Sequence, residues 1–256
     1  MRSKTAFVST ILVALLALGC GGGDKKSDST YDIAAAFAKV TAARADLTTA
    51  REEVAKLKQE LADLDAKGRL SSEEQATRQQ LEQDLKASQS RFDEAFTNDQ
   101  AALSEFLTKT LNDEQLRQAE ETRKALQLYA EEAVRNAQDF IDQSGDYRRA
   151  IELLENAEQY FEFANLPVPD AMTQTLEEAK TMRYLTKERF EQVKKGMSTD
   201  DVKLITGTPY YMNIRESESG GRKVTSWLFN RADGGVAAIH FVKGKVYATK
   251  WDVKQG

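Results

Sequence analysis

One cysteine and one histidine are all the thiol and imidazole this 256-residue chain has to offer for chemistry. Cys20 follows an uncharged run, Thr5 to Leu18, and His240 sits inside an apolar stretch near the C-terminus. A lone thiol closes no intramolecular disulfide. One histidine and one cysteine far apart make no cluster with zinc-ligand spacing. No nucleophile elbow or serine–lysine motif occurs. Gly207-Thr208-Pro209 is no nucleotide signature, because no glycine-rich phosphate loop with Lys and Ser/Thr exists. Carboxylates are plentiful, but they precede cations at helical spacing, as at Glu52-Glu53 before Lys56 and Glu120-Glu121 before Lys124. Such pairs are solvated helix faces. His240, in mid-strand, reads as structural or surface. The expectation is a non-catalytic chain with no catalytic residue, no metal and no cofactor.

The surroundings of Cys20 give it another use. Met1 to Lys4 is a short basic start, and the 14 residues from Thr5 to Leu18 carry no charge. That run is too short to span a hydrocarbon core of ~30 Å but has the length of a signal-peptide core. Its end, Leu16-Ala17-Leu18-Gly19-Cys20, resembles the bacterial lipobox, with Ala17 where that motif more often has Leu. The resemblance implies a diacylglycerol thioether on Cys20, a signal peptide over 1–19, and a lipidated cysteine with a Gly/Ser/Lys-rich tether over 20–30. The competing reading is an ordinary cleaved signal with an incidental cysteine. Gly rather than Asp follows Cys20, which by resemblance to enterobacterial sorting rules implies the outer membrane, with the chain facing the periplasm.

Charge divides the rest. Residues 183–256 carry 14 Lys/Arg and eight Asp/Glu, a net of +6, whereas residues 20–182 carry 20 and 33, a net of −13. A shift of that size marks a boundary near 183. The basic part suits anionic phospholipid headgroups or an acidic protein surface; differing solvated faces would give the same arithmetic. Nucleic acid is not expected as a partner: Lys187, Arg189, Lys194 and Lys195 form the nearest patch, and no helix is densely lined with Arg.

The acidic part reads as helix. Ile33, Val40, Leu47, Val54 and Leu61 recur every seven residues, with Ala36, Ala43, Ala50, Leu57 and Leu64 three after each. This a/d stripe predicts a helix over 32–67. Gly68 stops it, Ser71 and Glu74 have capping-box spacing, and Leu81, Leu85, Phe92 and Phe96 continue a second helix. The short turn predicts an antiparallel hairpin or coiled-coil arm over 31–112. Its stripe serves either an internal seam or a second chain. Asn98-Asp99 and Asn112-Asp113 look like further helix starts. Over 113–182, the run Gly145-Asp146-Tyr147 through Ala150, Leu154 and Ala157 resembles the second helix of a tetratricopeptide repeat. No 34-residue period accompanies it, so one helical hairpin is expected rather than an array.

Residues 183–256 pack the densest local signals. Thr186 starts a short helix and Gly196 follows it. Ser198 and Asp201 have capping-box spacing, and Gly207-Thr208-Pro209 ends the helix they begin. Strands are expected over 224–229, 236–242 and 246–253, with turns at Asp233-Gly234-Gly235 and Lys243-Gly244 and one covered face. Residues 210–223 read as a further strand or a loop. Arg183-Tyr184-Leu185-Thr186, Val193-Lys194-Lys195-Gly196-Met197-Ser198, Asp201-Val202, Gly207-Thr208-Pro209, Ser226-Trp227-Leu228-Phe229, His240-Phe241 and Gly244-Lys245-Val246 resemble the SmpA/OmlA (BamE-like) domain. That resemblance covers about 70 residues. It implies an αα-βββ fold with a three-stranded antiparallel sheet, and a small outer-membrane lipoprotein assisting the insertion of β-barrel proteins. The compact members carry this module close to the anchor; here about 160 residues intervene.

The expected fold class is therefore α+β, an all-α arm followed by a small αα-βββ module. The expected function is a lipid-anchored adaptor that binds envelope proteins, outer-membrane assembly subunits among them. The resemblance implies partner contact at Tyr184 and Leu185, which match a family segment near the interaction surface. Trp227 and Phe229 read most simply as core or as an exposed face of the sheet, and join the expected contact residues on the premise that they face opposite sides with one edge free. A structural spacer or oligomerising stalk with a generic ligand-binding head is the second reading. A periplasmic hydrolase, the third, requires a convergent polar constellation in a cleft.

Overall fold

The computed structural model describes residues 31–253. The expectation of lipidation at Cys20 lies outside them. The chain divides at Ala125/Leu126 into two compact units.

The first unit is built on a helical hairpin, α1 (Ile33–Ala66) and α2 (Ser72–Leu111). Asp32 caps α1, accepting the Ala35 N–H at 2.9 Å. Gly68, at φ +77°, gives the left-handed exit. Ser71 and Glu74 then form the capping box: the Ser71 hydroxyl accepts the Glu74 N–H, and the Glu74 carboxylate accepts the Ser71 N–H. Lys67, then these Ser71 bonds, hold the Glu74 carboxyl down at about 2. Contacts along the hairpin step in sevens. Phe37 meets Phe106 (ring centroids 5.6 Å apart), Arg44 meets Asp99 (2.9 Å), Arg51 lies over Phe92 (5.6 Å) and Asp65 meets Arg78 (2.7 Å). One helix climbs seven residues as the other descends seven, the signature of an antiparallel coiled-coil register. The a/d stripe of α1 is thus occupied by α2, with Val40, Leu47, Ala50 and Val54 buried.

Asn98-Asp99 does not begin a helix; α2 runs straight through it. Asp99 is fully buried against Arg44. Its carboxylate meets a guanidinium across the seam instead of capping backbone, and that partner is 55 residues away in sequence. Asn112-Asp113 does mark a break: Asp113 caps the short α3 (Glu114–Arg117), and α4 (Glu120–Ser144) follows.

In the second unit α5 (Tyr147–Ala164) packs on α6 (Asp170–Met182). Ala150, Leu154 and Ala157 are fully buried, and Tyr129 of α4 stacks at a tilt on Tyr160 at 5.0 Å. Two short helices follow, α7 (Lys187–Gln192) and α8 (Thr199–Thr206), capped by Thr186 and by the Ser198/Asp201 box. A 3₁₀ turn, Tyr211–Asn213, leads into an antiparallel meander: β1 (Ile214–Ser219), β2 (Arg222–Asn230), β3 (Val236–Val242) and β4 (Lys245–Lys250).

The sheet has four strands, not the three that the resemblance implied. The extra strand, β1, pairs along its whole length with β2. Its Arg-Glu-Ser-Glu core carries no apolar alternation, because an exposed edge strand has no buried face to fill; only the neighbouring strand makes it a strand. Trp227, Phe229, Ile239 and Phe241 form one face and pack with Leu185, Phe190, Val193, Val202 and Val246 into the core of the module. Trp227 lies opposite Ile239, and its ring is 4.5 Å from that of Phe241. A second correction concerns the sheet's faces: Val236, Ala237, Ala238 and Ile239 are all buried, so the first half of β3 is covered on both sides.

Candidate functional site

The site lies in the second unit, where the α4–α5 turn, the chain after α6, and the segment between α8 and β1 converge. Two glycines make the approach. A Cβ on Gly145 would sit 2.4 Å from the Pro209 carbonyl oxygen, and one on Gly207 would sit 2.4 Å from the Tyr147 hydroxyl. Both also take positive φ, +64° and +81°. Between them the buried Tyr147 hydroxyl accepts the Thr208 N–H at 2.9 Å. Burial raises the Tyr147 phenol above its ordinary value, so it stays a neutral hydroxyl.

On the second side, α6 ends at Met182, and Leu185 joins the sheet by donating its N–H to the Asn230 carbonyl at 2.9 Å. That bridge turns Leu185 into the core, 2% exposed, and leaves Tyr184 outside at 38%. Arg183 lies over the Tyr184 ring at 5.1 Å. Arg189 holds the segment from behind, donating to the carbonyls of Thr181 (2.9 Å) and Tyr184.

The result is a cleft of about 220 Å³ bordered by Asp146, Arg148, Tyr184, Tyr210, Asn213 and Leu228. Leu228 points away from the core face of Trp227 and Phe229, so this part of the second sheet face is set against the helical turn. The polar groups of the cleft hold structure: Asp146 caps α5 by accepting the Arg149 N–H at 3.1 Å, and Arg148 pairs with Glu152 at 3.5 Å. Burial, then the Asp146 charge, raise the Tyr210 phenol. Beside the cleft the chain exposes Tyr211 (55%), Met212 (64%) and Ile214 (39%) in succession.

Of the four expected contact residues, Tyr184 is exposed at this surface and Phe229 borders the cleft from β2 while remaining largely buried. Leu185, Trp227 and Phe229 are core residues. Trp227 and Phe229 do not face opposite sides: two positions apart in β2, they share a face, with ring centroids 6.5 Å apart. Tyr210, Tyr211, Met212 and Ile214 lie at or beside the cleft, and none of them is among the residues expected to contact a partner. The available signal was four large apolar side chains within five residues directly after a Gly-Thr-Pro helix stop, in a segment without periodicity. His240 is not among the residues bordering the cleft; it shares the sheet face of Leu228, one cross-strand pair further along. It pairs across strands with Ser226, whose Oγ is 2.8 Å from Nδ1, and burial, then Lys250, lower its pKa below the ordinary histidine value. Among the described residues no group of three or more His, Cys, Asp or Glu is arranged to hold a metal, and no helix is long and apolar enough to cross a membrane.

No family model, no curated protein and no solved structure matches this chain.

Proposed function

We propose that this protein is a non-catalytic adaptor: a lipoprotein anchored through Cys20 at the outer membrane, facing the periplasm, whose C-terminal module binds other envelope proteins. The observation that carries the binding role is the exposed run Tyr211, Met212 and Ile214 beside the cleft that Tyr184 borders. Contiguous exposed aromatic and aliphatic side chains with a polar rim are what protein interfaces are built from. Tyr buries much area at modest entropic cost, and the flexible Met side chain adapts to varied partner surfaces. The SmpA/OmlA-like reading is supported by the order of two short capped helices before an antiparallel sheet, and it makes outer-membrane assembly subunits the first partners to test.

Two measurements test this. Photo-crosslinkers placed at Tyr184 and Tyr211 in intact cells are expected to capture the same envelope proteins from both positions, and repeated failure at both would remove the adaptor role. Mass analysis of the N-terminal peptide is expected to show acyl chains on Cys20; an unmodified cysteine, or cleavage elsewhere, would remove the anchor.

A further inference from the structure

The two edges of the sheet are treated differently. β4 is closed over at its start: Gly196 donates its N–H to the Val246 carbonyl (2.9 Å), Val246 donates to the Met197 carbonyl (2.8 Å), and Ser198 bridges Lys245. β1 pairs with β2 and, among the described residues, with no other strand. An open edge presents a row of backbone donors and acceptors that can template another strand. This one begins directly at the exposed Tyr211, Met212 and Ile214.

Charge selects what can be added. Successive strand residues alternate faces, so Ile214, Glu216 and Glu218 share one side and Arg215 takes the other. Lys223 bridges Glu216 at 2.9 Å from β2, yet the Glu216 side chain stays 59% exposed. A second copy of this chain is a poor occupant. Antiparallel pairing about a two-fold axis sets like-facing residues opposite each other. Centred on Glu216, Ser217 or Glu218, it puts Glu against Glu; centred on Arg215, it puts Arg against Arg. Like charges directly opposite are destabilising, and opposite charges are favourable. A strand with cations at two alternate positions satisfies both carboxylates, and an apolar residue at its end covers Ile214 and Met212.

We infer that β1 is a receiving edge: an extended segment of a partner protein, with Lys or Arg at alternate positions, adds to it as a fifth strand. This rests on the adaptor reading and names its mode of binding.

The probe is a seven-residue capped peptide that alternates Val or Thr with two Lys, together with a twin carrying Glu in place of Lys. Amide hydrogen exchange is followed over Ile214–Ser219 in the full chain. The Lys peptide is expected to slow exchange there and the Glu twin to leave it unchanged. In a variant with Glu216→Lys and Glu218→Lys the preference is expected to invert, with the Lys peptide weakened roughly tenfold. Glu218→Lys alone, its fold checked by circular dichroism, gives a smaller shift of the same sign and serves if the double variant does not fold. No slowing at β1 by either peptide, equal slowing by both, or an uninverted preference would overturn strand addition. Cellular crosslinks from Tyr211 that persist beside such a result would leave the adaptor reading standing with another mode of binding. Loss of the crosslinks themselves would remove the adaptor.

Discussion

At the scale of single residues, two positions separate local from tertiary causes. Gly145 and Gly196 both hold positive φ, but a Cβ on Gly196 meets nothing within 4 Å while one on Gly145 meets the Pro209 backbone. Gly196→Ala is expected to cost the left-handed penalty alone, about 1 kcal/mol. Gly145→Ala should cost at least about 2 kcal/mol more, because backbone must move, and urea melts of the two variants would measure the difference. Equal losses would mean that the turn and Pro209 do not press together. His240 gives a pH prediction. Its folded pKa lies below the ordinary value of about 6.5, so as pH falls below ~6.5 the unfolded chain takes up the proton first and stability drops. His240→Gln removes that term. Its unfolding midpoint should fall less between pH 7 and pH 5 than that of the parent; parallel pH profiles would refute the assignment.

At the scale of elements, the α1–α2 hairpin shows what a polar seam position does. Asp99 occupies a heptad position that a leucine would fill, and its partner Arg44 is 15% exposed. A buried ion pair gains little net stability over apolar replacements, but removing one member is expensive. Asp99→Ala is therefore expected to destabilise the hairpin by about 3–5 kcal/mol, whereas Arg44→Leu with Asp99→Leu should be neutral or stabilising. Thermal melts of the two variants would show it; a double variant as weak as the single would mean that the pair stabilises the fold in its own right. The same pair fixes register, because a slip of one heptad would set Arg44 against Phe92 or Phe106. At the hairpin turn, the Lys67 and Ser71 bonds to Glu74 are retained well below the ordinary carboxyl range and are lost only as pH falls toward about 2.

At the scale of the whole molecule, the second unit joins helical hairpin and sheet module through Tyr147, Thr208 and the two facing glycines. Tyr147→Phe leaves the Thr208 N–H without its acceptor in a partly buried place, a loss of about 1–3 kcal/mol. The loss should appear in hydrogen exchange both at α5 and at Thr208, on either side of the contact. Loss of protection on only one side would mean that the two parts unfold independently.

What the sequence determined by itself was whatever depends on neighbours within one turn or one heptad. The α1 stripe, the Ser71 and Ser198 caps, the Gly68 and Gly207 stops and the hairpin turns were all legible, because backbone hydrogen bonds and 3.5- or 2-residue periods are local. What only the tertiary structure decided rests on residues distant in the chain. Asp99 looks like a cap until Arg44 is placed beside it. β1 has no strand pattern until β2 lies alongside. Tyr184 and Leu185 are equivalent as letters, and one hydrogen bond to Asn230 sends Leu185 inward and Tyr184 out. The exposed Tyr211–Ile214 run was hidden for the same reason: aromatic and aliphatic side chains read as core, and burial is settled by what packs against them, not by what they are.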